Sequence, residues 1–199
     1  MKYIVLDMKR FSIFIFFLYV SVSFSQSKNE KEERIPLSEF PKVARNYFNE
    51  FSHQLKYLKL YRETDGEKHS FEAKFKIKKL YYSIEFDTMG KLEDIEIVIK
   101  EKYIPKTTLL EISTYFDTNF KKTRLLKIQK QYVNYTKQPD KTFIHHIVKH
   151  PNDTHTHFEI IAEVKTNNIH ELKEFTFDKD GKFKASRKVT SSSYEHALY

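Results

Sequence analysis

Between Phe71 and Phe86 the chain reads "FEAKFKIKKLYYSIEF", in which Phe71, Ala73, Phe75 and Ile77 alternate with Glu72, Lys74, Lys76 and Lys78. Side chains of an extended strand point to opposite faces in turn, so a series of this kind separates into one apolar and one charged side only as a β-strand. Leu80, Tyr82, Ile84 and Phe86 continue the pattern on the next strand, and Phe158, Ile160, Ala162 and Val164 repeat it in "THFEIIAEVK". An antiparallel sheet with one face on the core and the other in water is the expectation.

The turns that such a sheet needs are marked by the glycines. The chain has three, and two of them lie in the near copies "FDTMGK", from Phe86, and "FDKDGK", from Phe177. Asp87 and Asp178 can accept hydrogen bonds from backbone amides just ahead of them, while Gly90 and Gly181 supply the positive φ that closes a tight turn. The third, Gly66, follows Asp65 between "LKYLKLYRE" and "FEAKFKIK".

Two segments have helical spacing instead. In "IPLSEFPKVARNYFNEF" the residues Phe40, Val43, Tyr47 and Phe51 fall on one helix face, with Ser38 as N-cap and Pro41 in the first turn. In "IPKTTLLEISTYFDTNF" Leu109, Ile112, Phe116 and Phe120 do the same, with Thr107 or Thr108 at the cap. Both open on Ile-Pro, at Ile35-Pro36 and Ile104-Pro105. Matched helices and matched turns predict an internal duplication. The expected fold is α+β: two tandem helix-plus-antiparallel-strand repeats forming a sheet with both helices packed on one face. The first repeat spans 35–103 and the second 104–190, after a polar lead over 26–34 and before a tail over 191–199. The second is lengthened around "TKQPDKTFIHHIVKHPNDTH", within which "KTFIHHIVK" is taken as a strand.

Lys2, Lys9 and Arg10 precede the uncharged run "FSIFIFFLYVSVSFS", and Ser23 and Ser25 stand at the small-residue positions before Gln26. This is the layout of a secretory signal peptide over 1–25; the run is too short for the roughly 20 apolar residues of a membrane span. The exported product would be periplasmic or secreted, with no stable membrane insertion. With no cysteine in the chain, neither disulfides nor a lipidated cysteine can hold it. Residues 26–199 carry 32 basic and 26 acidic side chains, interspersed and without an arginine-rich stripe, which argues against a nucleic-acid partner.

At the signal sequence, the Ile-Pro helix starts, the "FEAKF" strand and the hairpin "YYSIEFDTMGKLEDIE" with its counterpart "ELKEFTFDKDGK", the chain resembles the PepSY-like, beta-lactamase-inhibitor-like family of exported bacterial envelope proteins. The resemblance covers nearly all of residues 35–190. It implies paired helix-plus-sheet units and a noncatalytic exported protein, with inhibition or regulation of a peptidase or other hydrolase as the activity suggested by analogy. The chain departs from the family pattern in having no tryptophan and in its histidine-rich insert.

The residues themselves point to binding, and no enzyme is expected. There is no cysteine nucleophile, no Gly-x-Ser-x-Gly elbow, no His-Glu-x-x-His helix and no glycine-rich phosphate loop. A binding face is expected on the charged side of the sheet, where Tyr81, Ser83 and Glu85 share one side of their strand and tyrosine suits an interface with an envelope protein or peptidase. The alternative is a metal- or small-ligand-binding protein built on the insert. There His155, His157 and Glu159 share a strand face and, with His145, could ligate Zn²⁺ or Cu²⁺. No other cofactor is implied.

Overall fold

The computed structural model describes residues 27–190, so the expected leader and the C-terminal tail lie outside the described residues. Among the described residues ten strands form a single sheet: β1 (Ser27–Lys28), β2 (Glu30–Arg34), β3 (Lys56–Asp65), β4 (Lys68–Ile77), β5 (Leu80–Asp87), β6 (Leu92–Ile99), β7 (Lys122–Tyr132), β8 (His157–Thr166), β9 (Ile169–Asp178) and β10 (Phe183–Val189). From β2 to β10 each strand lies antiparallel beside its sequence neighbour. Short turns with left-handed residues close two hairpins of this meander. The β3–β4 turn has Gly66 at φ 63°, and the β8–β9 turn has Asn167 and Asn168 at 47° and 68°, the type I′ signature that matches strand twist.

Three α-helices occur among the described residues: α1 (Lys42–Tyr47), α2 (Lys106–Asn119) and α3 (Asp140–Lys149). All pack on one face of the sheet. Phe40, Ala44, Phe48 and Phe51, around α1, and Phe143, Ile144 and Ile147 of α3 cover Phe75, Tyr82, Ile84, Phe86, Ile95 and Ile97. Ile112 and Phe116 of α2 cover Ile128, Phe158, Ile160, Phe175 and Phe177. The core is rich in edge-to-face aromatic pairs, such as Phe116 with Phe175 at 4.9 Å between ring centroids.

The two Asp-x-x-Gly-Lys turns have the same construction. Asp87 Oδ1 accepts from the amides of Met89 and Lys91, and Asp178 Oδ1 accepts from those of Asp180 and Lys182. Each glycine does two jobs. Gly90 and Gly181 sit at φ 82° and 91°, and a Cβ would fall 2.9 Å from Pro41 Cβ in the first turn and 2.6 Å from the Thr108 carbonyl oxygen in the second. Each turn thus seats directly against the start of a helix.

The expectation of two tandem helix-plus-antiparallel-strand repeats is overturned. The strands form one continuous meander, the first helix is a six-residue α-helix followed by a 3-10 turn (Asn49–Gln54), and "KTFIHHIVK" is helix α3, not a strand. Its apolar positions Phe143, Ile144 and Ile147 recur at helical spacing, and Pro139 precedes its first turn. The face on α1 also differs: Val43 is half exposed and Ala44 and Phe48 are buried, while the expected Tyr47 is half-buried against the core beside Phe86. Pro41 and Pro105 stand at the helix caps, without side-chain capping by Ser38, Thr107 or Thr108.

The larger correction concerns the second face. The polar lead supplies two short strands: β1 pairs parallel with β10 and β2 pairs antiparallel with β3, so one short segment touches both edges of the sheet. The Thr190 amide donates to the Lys28 carbonyl, and Arg187 of β10 pairs with Asp65 of β3 at 3.0 Å. Two edges can meet this way only if the sheet curls, staggered as in a barrel, with its polar face inward. That face is accordingly an interior over much of its area.

Candidate functional site

The interior of the curl is built from the charged half of the alternating pattern. Glu63 and Glu72 are 3% and 4% exposed, and Ser83, Glu96, Gln129 and Glu174 are also buried, all on the face away from the helices. Burying charge is costly unless it is paired, and the pairs are present. Lys74 Nζ lies 2.7 Å from Glu32 and 3.1 Å from Glu72, while Lys28 Nζ lies 2.9 Å from Glu174 and 3.0 Å from Glu30. Arg187 adds a 2.5 Å bond from Nε to Glu174. These cations hold Glu72 and Glu174 ionised: burial pushes both up, yet Lys74 keeps Glu72 below its ordinary value, and Lys28 and Arg187 bring Glu174 down to about 2.

Carboxyls outnumber cations in this interior, and the surplus is met with protons. Glu63, desolvated and facing the Glu72 charge, is pushed up to about 12 and shares its proton with Glu72. A second group brings carboxyl oxygens of Glu85, Asp94 and Glu96 within 4.8 Å of one another. Gln131 Nε2 donates to Asp94 at 3.0 Å and to Glu159 at 2.8 Å, and Gln129 donates to Glu96. Burial first, then the neighbouring carboxylates, raise Glu85, Asp94 and Glu159 well above the carboxylate range. Burial among like charges thus favours the protonated form of all three.

At the opposite end of the strands the curl opens. A cavity of about 630 Å³ lies between the start of β3 and the first half of β7, walled by Phe75, Val98, Ile99, Leu125 and Leu126 and bordered by Tyr57, Tyr81, Lys59 and Lys127. Tyr81 and Tyr57 stand out at 53% and 74% exposure. Tyr57 has φ 57°, beside a bulge in the β3–β4 register between Lys56 and Lys59. Left-handed backbone is costly for a bulky residue, and bulges re-aim side chains at functional edges. Lys76 braces the other tyrosine, its Nζ 4.6 Å from the Tyr81 ring centre and 3.2 Å from the hydroxyl.

Of the expected binding face, Tyr81 lies at this rim, Ser83 is buried and donates to Glu72, and Glu85 lies deeper, beside Asp94. The three share one face of β5, but only Tyr81 faces solvent broadly. The expected metal ligands are dispersed. His145 is on α3, 2.9 Å from the Tyr47 carbonyl oxygen. His155 packs on Phe158 at 4.2 Å, its burial lowering it to about 4, while His157 meets Gln131 Oε1 at 3.1 Å on the other face. Glu159 belongs to the carboxyl group of the interior. No three of these four bring ligand atoms within 4.8 Å of one another. His145, His146 and His150 instead line a shallow hollow with Lys141 and Lys149. Tyr57 is one of the tyrosines, with Tyr61, Tyr81, Tyr103, Tyr132 and Tyr135, that are too many for a single buried sheet face and so suit an interface, but its place beside Tyr81 was not foreseen; Lys127 was missed altogether. The mark of that place was a Leu-Lys-Tyr-Leu run that breaks alternation, and Lys127 carried none.

No protein-family model matches the chain, and no curated protein does either. Among solved structures the chain is similar to a DUF2874 family protein from Bacteroides ovatus, at 9% identity and a TM-score of 0.49, covering 74% of this chain and 86% of that one. It is also similar to a DUF2874 family protein from Bacteroides uniformis, at 9% identity and a TM-score of 0.48, covering 74% and 88%. A BLIP-like protein from Bacteroides fragilis matches at 12% identity and a TM-score of 0.47, covering 79% and 89%. No helix among the described residues is long and apolar enough to cross a membrane.

Proposed function

We propose that this chain is a noncatalytic binding module, exported to the cell envelope, that engages a protein partner through the open end of its curled sheet. The observation that carries the reading is the pair of exposed tyrosines, Tyr57 and Tyr81, flanking an apolar cavity where the inward face opens to solvent. Exposed aromatic rings beside a pocket are what interface hot spots are made of. The Tyr57 backbone conformation adds to this, because strain of that kind persists where it serves a site. A peptidase or other hydrolase is the partner class that the family resemblance suggests, and it enters by analogy of fold.

The test is affinity capture with the tagged full chain, purified after expression with its own N-terminal segment, against an envelope extract of the source cells. We expect one retained hydrolase, identified by mass spectrometry, whose activity falls on addition of the protein and which the Tyr57→Ala/Tyr81→Ala double variant fails to retain. A double variant with unchanged circular dichroism that retains the same proteins would remove the rim from consideration.

A further inference from the structure

The cavity behind the tyrosine rim contains a charge that its own fold leaves unanswered. Lys74, which also lines the cavity, is held by Glu32 and Glu72. Lys127 is different. It is half-buried against the same wall, and among the described residues no carboxylate lies within ion-pair distance of it and no hydrogen bond holds it. The nearest interior charges that act on it are Glu96, Lys74, Glu72 and Lys28, of mixed sign, and its desolvation lowers its proton affinity. Elsewhere on this face each buried cation is paired, so Lys127 is an exception within a consistent design.

The cavity around this ammonium has aliphatic walls from Val98 and Leu126, with the Tyr57 and Tyr81 rings at its border. Concave sites of several hundred Å³ with apolar walls and one or two placed polar groups are the usual form of a small-molecule site. Of the other lysines lining the cavity, Lys59 and Lys100 are exposed and Lys74 is paired, so Lys127 is the desolvated ammonium without a partner; it calls for one negative charge, and apolar walls of low polarisability penalise a second. A lysine presents a point charge without the planar fork that selects phosphate, so a monoanion suffices.

We propose that the cavity at the open end of the curled sheet binds a small amphiphilic carboxylate, its apolar body between the β4, β6 and β7 walls and its carboxylate on the Lys127 ammonium. The site takes a ligand of a different class from the protein partner proposed above, and its test stands or falls independently of capture.

Dodecanoate is a suitable probe, titrated calorimetrically into the delipidated full chain, with dodecanol as its uncharged counterpart. The expected result is saturable one-to-one binding of dodecanoate, weakened about tenfold or more in Lys127→Met and retained in Lys127→Arg, with dodecanol binding alike to all three. Methyl dodecanoate on the unaltered protein makes the same comparison from the ligand side if Lys127→Met does not fold, and should bind about tenfold more weakly than dodecanoate. The absence of saturable dodecanoate binding, or equal affinity in the unaltered protein and Lys127→Met, would overturn the proposal, as would methyl dodecanoate binding as tightly as the acid.

Discussion

At the scale of single residues, the backbone does the most specific work. Gly90 and Gly181 each combine a left-handed φ with contact to the start of a helix, whereas Gly66 has a left-handed φ and open space around it. Alanine at Gly181 should therefore cost about 2–3 kcal/mol, from strain plus displacement of the α2 backbone, and alanine at Gly66 about 1 kcal/mol. Urea denaturation of the two variants checks the difference; equal losses would mean that the helix contact contributes nothing. Tyr57 gives the opposite sign. Relieving its φ with Tyr57→Gly should raise stability by roughly 1 kcal/mol while weakening capture of the partner, the exchange expected where strain is kept for binding.

At the scale of elements, strand positions were legible and the fate of their polar face was not. The period-two runs from Phe71, Leu80 and Phe158 fell on β4, β5 and β8, because alternation depends only on the geometry of an extended chain. Alternation says that one face is apolar; it does not say that the other is wet. Glu72, Lys74 and Glu96 read as solvent-facing by type, and they became interior because "KNEKEER" supplies β2 and brings the edges together. Nothing in the charge pattern of a single strand announces a partner strand more than a hundred residues away. Helix α3 was missed for a related reason, since Phe143, Ile144 and Ile147 suit either element over so short a run. The site was legible to the same degree: Tyr81 could be found from its strand, whereas Lys127 is distinguished only by what does not contact it.

Two lysines on this inner face make the pairing argument testable. Lys74→Met leaves Glu32 and Glu72 without their cation and should destabilise by about 3 kcal/mol. Lys127→Met removes a desolvated charge that has no partner and should be neutral or stabilising by denaturant midpoint. A similar loss at both positions would show that the two ammonium groups are equivalent and that the interior is open to water.

For the molecule as a whole, the proton-bearing interior sets how stability follows pH. Glu63, Glu85, Asp94 and Glu159 have folded pKa values above their unfolded ones. Their contribution is complete below the ordinary carboxylate value of 4.5, or 3.8 for Asp94, and is lost as pH rises toward the folded values, about 12 for Glu63. Glu174 has the reverse sign, its contribution being lost as pH falls from 4.5 toward about 2, and His155 loses its own between 6.5 and about 4. Stability should thus peak in weakly acidic solution and decline through pH 9, with Asp94→Asn flattening the alkaline limb. Denaturation midpoints at several pH values measure this, and a profile level from neutral to pH 9 would contradict it.

The claim on which the rest depends is that the charged face is enclosed around Ser83 and opens to solvent at the tyrosine-bordered end. The chain contains no cysteine, so single cysteines report on it without background. The most direct measurement is the rate of thiol labelling of Ser83→Cys and Tyr81→Cys, two positions apart on the same face of β5. We expect Tyr81→Cys to react as an exposed thiol and Ser83→Cys to react on the order of a hundredfold more slowly, limited by opening of the sheet. Equal, fast labelling at both positions would mean an open face, and with it would go the buried charge network, the enclosed cavity and the pH profile derived from them.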